Sequence, residues 1–204
     1  PGPSGAPSSG GADLLPTGRN FYGVDPRTLP TPAAWEIGKT LADQVITRFI
    51  AEEGRYPENI GIVLWSGSNM RSHGQCIAEF LYLMGIKPKY QSGSMRVNGL
   101  EVIPLAELKR PRIDVTARIS GLFRDSMPSV AELLDKAVLL AASLDEKDED
   151  NYVKKHITAE SAELEESEGM TKEEAWRQAA FRIFGDQQGV YGAGVAALLE
   201  AKNW

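Results

Sequence analysis

The sequence predicts an α/β fold: a layered domain with a short, mainly parallel sheet flanked by helices, a helical C-terminal third and a Gly/Pro-rich N-terminal loop. Two observations carry the sheet. The run IGIVLW at 60–65 is short, apolar throughout and rich in β-branched residues, as expected of a strand covered on both faces. IDVTARIS at 113–120 alternates, with Ile113, Val115, Ala117 and Ile119 on one side. Between and behind these strands lie helix-period stretches, and a β-α-β order of this kind is met by helices layered on a sheet. A third observation, the capping-box spacing of Thr171 and Glu174, places a further helix in the C-terminal third.

Taken in order, residues 1–30 form the Gly/Pro-rich loop and 31–204 the α/β domain. The first 32 residues hold seven Pro and six Gly, yet Leu14, Leu15, Phe21, Tyr22 and Val24 give the segment something to bury. It is therefore expected to wrap over the body of the protein, with Pro reducing the entropy lost on ordering. Thr31-Pro32 opens a helix, Thr as cap and Pro at a position whose N–H has no partner in any case. Ile37, Leu41, Val45 and Phe49 form its expected packing stripe and Gly54 ends it. SGSNMR reads as a polar turn, after which Ser72 and Gln75 have capping-box spacing and Ile77, Phe80, Leu81 and Met84 supply one apolar face before Gly85. Asn98-Gly99 suggests a tight hairpin turn. Behind Pro128, Val130, Leu133, Leu134, Ala137, Val138 and Ala141 form another helical stripe. DEKDED at 145–150 reads as a solvated loop. The helix opened by Thr171 is expected to run through Ala175, Ala179 and Ile183, and GVYGAGVAALLEA to feed a last short helix.

Composition narrows the function. With 204 residues, 42% of them hydrophobic, the chain can bury one ordinary core. A net charge of −6 and a pI near 5.1 argue against a nucleic-acid groove, which needs clustered Lys and Arg. No apolar run is long enough for a membrane span. A single cysteine, Cys76, leaves no intrachain disulfide, and a cytoplasmic setting is expected. The first residue is Pro1 rather than Met, so the expectation is a piece of a longer polypeptide.

Several constellations bear chemistry. SGSNMRS, with Ser66, Ser68 and Arg71, sits between a strand and a helix start, where open α/β sheets bind ligands and anions are favoured. It matches neither a dinucleotide fingerprint nor a phosphate loop. His73 and Cys76 are three apart on a helix, but two ligands do not make a metal site. His156, beside Lys154 and Lys155, reads as an exposed helical residue. Arg110, Arg112, Asp114, Arg124 and Asp125 bracket the second strand, either as ion pairs fixing strand ends or as guanidinium forks aimed at a ligand carboxylate.

Four long motifs, LPTGRNFYGVDPRTLPTPAAWEIG, VLWSGSNMRSHGQCIAE, RPRIDVTARISGLFRD and RIFGDQQGVYGAGV, resemble in that order the large subunit of the tetrapyrrole metal chelatases, and the resemblance runs essentially end to end. That family comprises the CobN subunit of cobaltochelatase and the H subunit of magnesium chelatase. NFYGVDP, TPAAWEIG and YGAGV resemble the cobalt branch. The resemblance implies a subunit much longer than this chain that binds the macrocycle, Co2+ as substrate metal and a corrinoid precursor, hydrogenobyrinic acid a,c-diamide, as the ring. In the alternative magnesium branch, Mg2+ and protoporphyrin IX take their places. ATP is used by separate AAA+ partner subunits and is not bound here, in keeping with the missing phosphate loop; this piece alone is expected to be inactive. The family's H-G-T-x-E-x-x-P-G-like motif is absent from this chain. Gripping an acid-rimmed pigment while it is bent and metallated calls for Arg, Asn, Thr and backbone N–H groups. The residues so implied are Thr17, Arg19, Asn20, Ser66, Ser68, Arg71, Arg112, Asp114, Arg124 and Asp125.

Overall fold

The structure, a computed structural model, describes residues 24–191 and residue 199. Thr31 caps helix α1 (Pro32–Glu53) by accepting the Ala34 N–H at 3.3 Å, and Gly54 closes it in the left-handed conformation. The buried face of α1 is Ala34, Gly38, Ala42 and Ile46; the expected stripe one position away is not the packed one, for Ile37 and Val45 are 44% and 40% exposed. Small residues win because they let α1 settle onto helix α3 (Gln75–Leu83): a Cβ on Gly38 would lie 2.4 Å from the Ala78 Cβ and 2.8 Å from the Glu79 backbone nitrogen. Ahead of α1, Leu29 is fully buried, Val24 packs on the core and the Pro30 carbonyl accepts the Tyr90 hydroxyl at 2.9 Å.

Strands β1 (Asn59–Leu64), β4 (Asp114–Ile119) and β5 (Ile183–Phe184) form a parallel sheet with β4 in the middle. Val115, Ala117 and Ile119 of β4 point into the core against α3 and helix α6 (Pro128–Ala142), as their alternation predicts. β1, however, lies at the sheet edge and is covered on one face only; Val63 is 49% exposed. An apolar run alone cannot tell an edge strand from a central one. Strands β2 (Ile86–Tyr90) and β3 (Val97–Val102) make a separate antiparallel hairpin turned by residues 91–96, with Asn98 and Gly99 inside β3 rather than at the turn.

SGSNMR is not a turn but most of helix α2 (Ser66–Ser72), which leaves the carboxyl end of β1 directly. His73 then takes the left-handed conformation at φ 54°, so the chain bends before α3 begins. Ser72 holds half of the expected box, accepting the Gln75 N–H at 3.4 Å. A one-turn helix α4 (Leu105–Leu108) precedes β4, and α5 (Gly121–Ser126), capped by Ser120, follows it. α7 (Tyr152–Glu168) and α8 (Lys172–Ala179) complete the described body. Both bonds of the Thr171–Glu174 capping box are present, but α8 stops at Ala179 and Ile183 lies on β5.

One buried cation joins these parts. Arg112, immediately ahead of β4, is 0% exposed, and all five of its N–H donors are used. Nε and Nη2 meet Glu146 at 2.7 and 2.9 Å, Nη1 meets the Met84 and Gly85 carbonyls and Nη2 the Ile103 carbonyl. Asn151, also fully buried, donates to Glu146 and to the Ala141 carbonyl and caps α7. The acidic run 145–150 is thus solvated except at Glu146 and Asp150, whose carbonyl accepts the Arg112 N–H at 2.9 Å.

Two substitutions test this packing by urea denaturation. Gly38→Ala gains about 1 kcal/mol of helix propensity but is expected to lose more to the α1–α3 clash, lowering stability by about 1–3 kcal/mol net. Arg112→Met strands the Glu146 carboxylate and is expected to cost about 3–5 kcal/mol.

Candidate functional site

Among the described residues, the implied ligand contacts fall on two opposite edges of the parallel sheet. At the carboxyl edge, α2 and α5 spring from the ends of β1 and β4, bringing Ser66, Ser68, Arg71, Arg124 and Asp125 into one region. Ser66 is buried and bonded to Ser126 at 2.8 Å; since the Ser126 hydroxyl donates to the Leu122 carbonyl, Ser66 is the donor. Ser68 is half-buried. Arg71, in the last turn of α2, is exposed and forms no ion pair among the described residues.

Arg124 is differently committed. Its Nε and Nη2 grip Asp125 at 2.7 and 3.1 Å, while Nη1 reaches the Asp186 and Gln187 carbonyls at 2.8 and 2.7 Å. Tyr191 lies beneath the guanidinium and donates its hydroxyl to Asp125 at 2.8 Å, and these partners hold the Asp125 carboxyl below its ordinary range. The pair therefore straps the segment after β5 to α5 and is not aimed outward. Arg118 of β4 pairs with Asp186 in the same segment.

At the amino edge stands Asp114, only 4% exposed. Arg182 Nε reaches both of its oxygens, at 2.9 and 3.1 Å, and His156 Nδ1 meets Oδ2 at 2.9 Å. The second ring nitrogen of His156 faces Glu58 at 3.2 Å, and Lys155 meets the same Glu58 oxygen at 2.6 Å. With a carboxylate acceptor on each side, both ring nitrogens must donate, which requires the imidazolium. The Asp114 bond accordingly raises the His156 pKa against the opposing effect of burial, with Glu58 adding to the rise. His156 is thus a clamp between α7 and the sheet, not the exposed residue expected. Beside it, α7, α8 and the strands line an open cavity of about 1030 Å³.

Of the implied ligand contacts, Arg112 and Asp114 give way to internal networks because every strong donor or acceptor they own is already engaged at depth. Thr17, Arg19 and Asn20 lie outside the described residues, as does most of the last expected helix. His73 and Cys76 sit at the α2–α3 joint, where burial pushes the thiol pKa up, and among the described residues no group of three or more His, Cys, Asp or Glu is placed to hold a metal ion. Likewise, no described helix is long and apolar enough to cross a membrane. Sequence reasoning missed Glu58, Glu146, His156 and Arg182. A trace of the His156 role was present: it follows Val153 by three positions and precedes Ile157 by one, so it borders the buried stripe of α7.

Comparison with known proteins agrees with this architecture. The family model described as CobN/Magnesium Chelatase matches residues 1–204. The aerobic cobaltochelatase subunit CobN of a Sinorhizobium species is 50% identical over 204 residues, covering all of this chain and 16% of that protein. The chloroplastic magnesium-chelatase subunit ChlH of Oryza sativa subsp. indica is 38% identical over 205 residues, covering all of the chain and 14% of that protein. The solved catalytic subunit of cobaltochelatase from Mycobacterium tuberculosis superposes with a TM-score of 0.81 at 47% identity, over 94% of this chain and 16% of that one. The chain belongs to the CobN/magnesium chelatase family and spans about one-sixth of the length of these relatives.

The clamp has a pH signature. Because the folded pKa of His156 is raised above the unfolded value near 6.5, its stabilisation is complete below that value and is lost as pH rises through the folded pKa. Denaturation of the chain and of His156→Gln should therefore differ most at mildly acidic pH and converge under alkaline conditions; a constant difference would show that the ring acts by packing alone.

Proposed function

We propose that this segment is part of the large subunit of an ATP-dependent cobaltochelatase that inserts Co2+ into a corrinoid precursor, hydrogenobyrinic acid a,c-diamide, during cobalamin biosynthesis. The observation that carries this reading is the 50% identity to a CobN subunit across the whole chain, against 38% for a magnesium-chelatase subunit. ATP hydrolysis falls to AAA+ partner subunits, and the segment by itself is inactive. Metal insertion needs water shed from the dication, two pyrrole protons removed and a stiff ring bent, so the ring must be held firmly while it is strained.

Within that subunit the segment contributes grip on the pigment rim rather than the base. Arg71 is the cation best placed to do so: it stands at the carboxyl edge of a parallel sheet, where such folds bind ligands, with Ser68 on the same short helix. Thr17, Arg19 and Asn20 are proposed as further rim contacts. A second reading, a scaffold module of the subunit, is favoured by the internal commitment of Arg112, Asp114 and Arg124.

Arg71→Ala in the intact subunit separates the two. Loss of one charge-assisted hydrogen bond, about 1.5–3 kcal/mol, should weaken macrocycle binding roughly 10- to 100-fold in a titration followed by Soret absorbance. Unchanged affinity would assign the segment to scaffolding. Titrating protoporphyrin IX alongside the corrinoid precursor distinguishes the magnesium branch by the ring preferred.

A further inference from the structure

Parallel sheets are almost always covered on both faces, and this one is covered fully on only one by the described residues. The strand register places Asn59, Gly61 and Val63 of β1 beside Asp114, Thr116 and Arg118 of β4, and Phe184 of β5 beside Arg118, all on the face opposite the core. Toward the amino end, α7 and the segment after α8 are pinned to that face through Asp114 by His156 and Arg182. Between these helices and the strands remains the cavity of about 1030 Å³, lined among others by Gly61, Thr116, Leu164, Phe181 and Phe184.

Three features say what belongs there. Apolar surface continues past the cavity at Val63, 49% exposed, which Arg118 separates from Phe184, 48% exposed at the cavity rim, so the surface is open rather than enclosed. No atom lies within 4 Å of where a Cβ on Gly61 would stand, and its neighbour Thr116 is exposed, leaving room for another backbone to approach. Exposed carboxylates of Glu160 and Glu163 line the same cavity.

We propose that an amphipathic helix from another part of the same large subunit lies along this face. Its apolar side covers Val63, Leu164, Phe181 and Phe184, and Lys or Arg on its flank meets Glu163. The occupant is assigned to the same subunit because the relatives carry about five-sixths of their length outside this segment. The inference thus rests on reading the chain as a segment of such a subunit.

The test uses the intact subunit carrying Thr116→Cys or, separately, Val63→Cys, with maleimide labelling read at that peptide by mass spectrometry. Both positions should label at least roughly a hundredfold more slowly in the native subunit than in denaturant, without added macrocycle. A photo-crosslinking amino acid at position 116, in mixed isotope-light and isotope-heavy subunits, should join residue 116 to a helix outside residues 1–204 of its own chain. Native labelling within a few-fold of the unfolded rate, crosslinks between light and heavy chains, or protection that appears only with tetrapyrrole would each overturn the proposal. An intact subunit that shows the crosslink but does not bind a corrinoid precursor would refute the proposed function and leave this inference standing.

Discussion

Arg112 is the constraint on which the rest of the structure depends. A charged side chain with no exposure is tolerated only when each donor has an acceptor, and satisfying five of them fixes the end of α3, the start of β2, the end of β3 and the approach to α7 in one place. The planar fork of arginine is what permits this; a lysine ammonium has three donors and cannot span the same carbonyls. Gly85 is part of the arrangement, since a Cβ there would stand 2.3 Å from Nη1 and its φ of +70° lies in the left-handed region. β4, following directly, inherits its position from this knot, and β1 and β5 inherit theirs from β4.

The same economy explains why most of the charge around the sheet is unavailable to a ligand. At the amino edge, Lys155, His156 and Arg182 face Glu58, Asp114 and Glu160, a compensated set that docks α7 and the segment after α8. Around the carboxyl edge, Arg118 and Arg124 are consumed in holding down residues 186–191. What is left exposed on α2 is Arg71.

Much of the local structure was legible. Caps at Thr31, Gly54 and Thr171 act through bonds within a few residues, and the stripes of α3, α6 and β4 follow from periodicity alone. The buried face of α1 was misassigned because the largest apolar residues were taken to be the packed ones, whereas close approach to α3 selects Gly38 and Ala42. The Asn-Gly pair marked a turn that the hairpin makes elsewhere, in residues 91–96, so that Asn98 and Gly99 fall within β3.

By itself, the sequence determined the α/β class, the bounds of α1, the starts of α6 and α8 and, through four motifs in register, the family. Only the tertiary structure decided which charges are spent and which remain free. Arg112 meets Glu146 across 34 positions and His156 meets Glu58 across 98; the cost of burying a charge is set by neighbours brought together from such distances, and no local pattern encodes them.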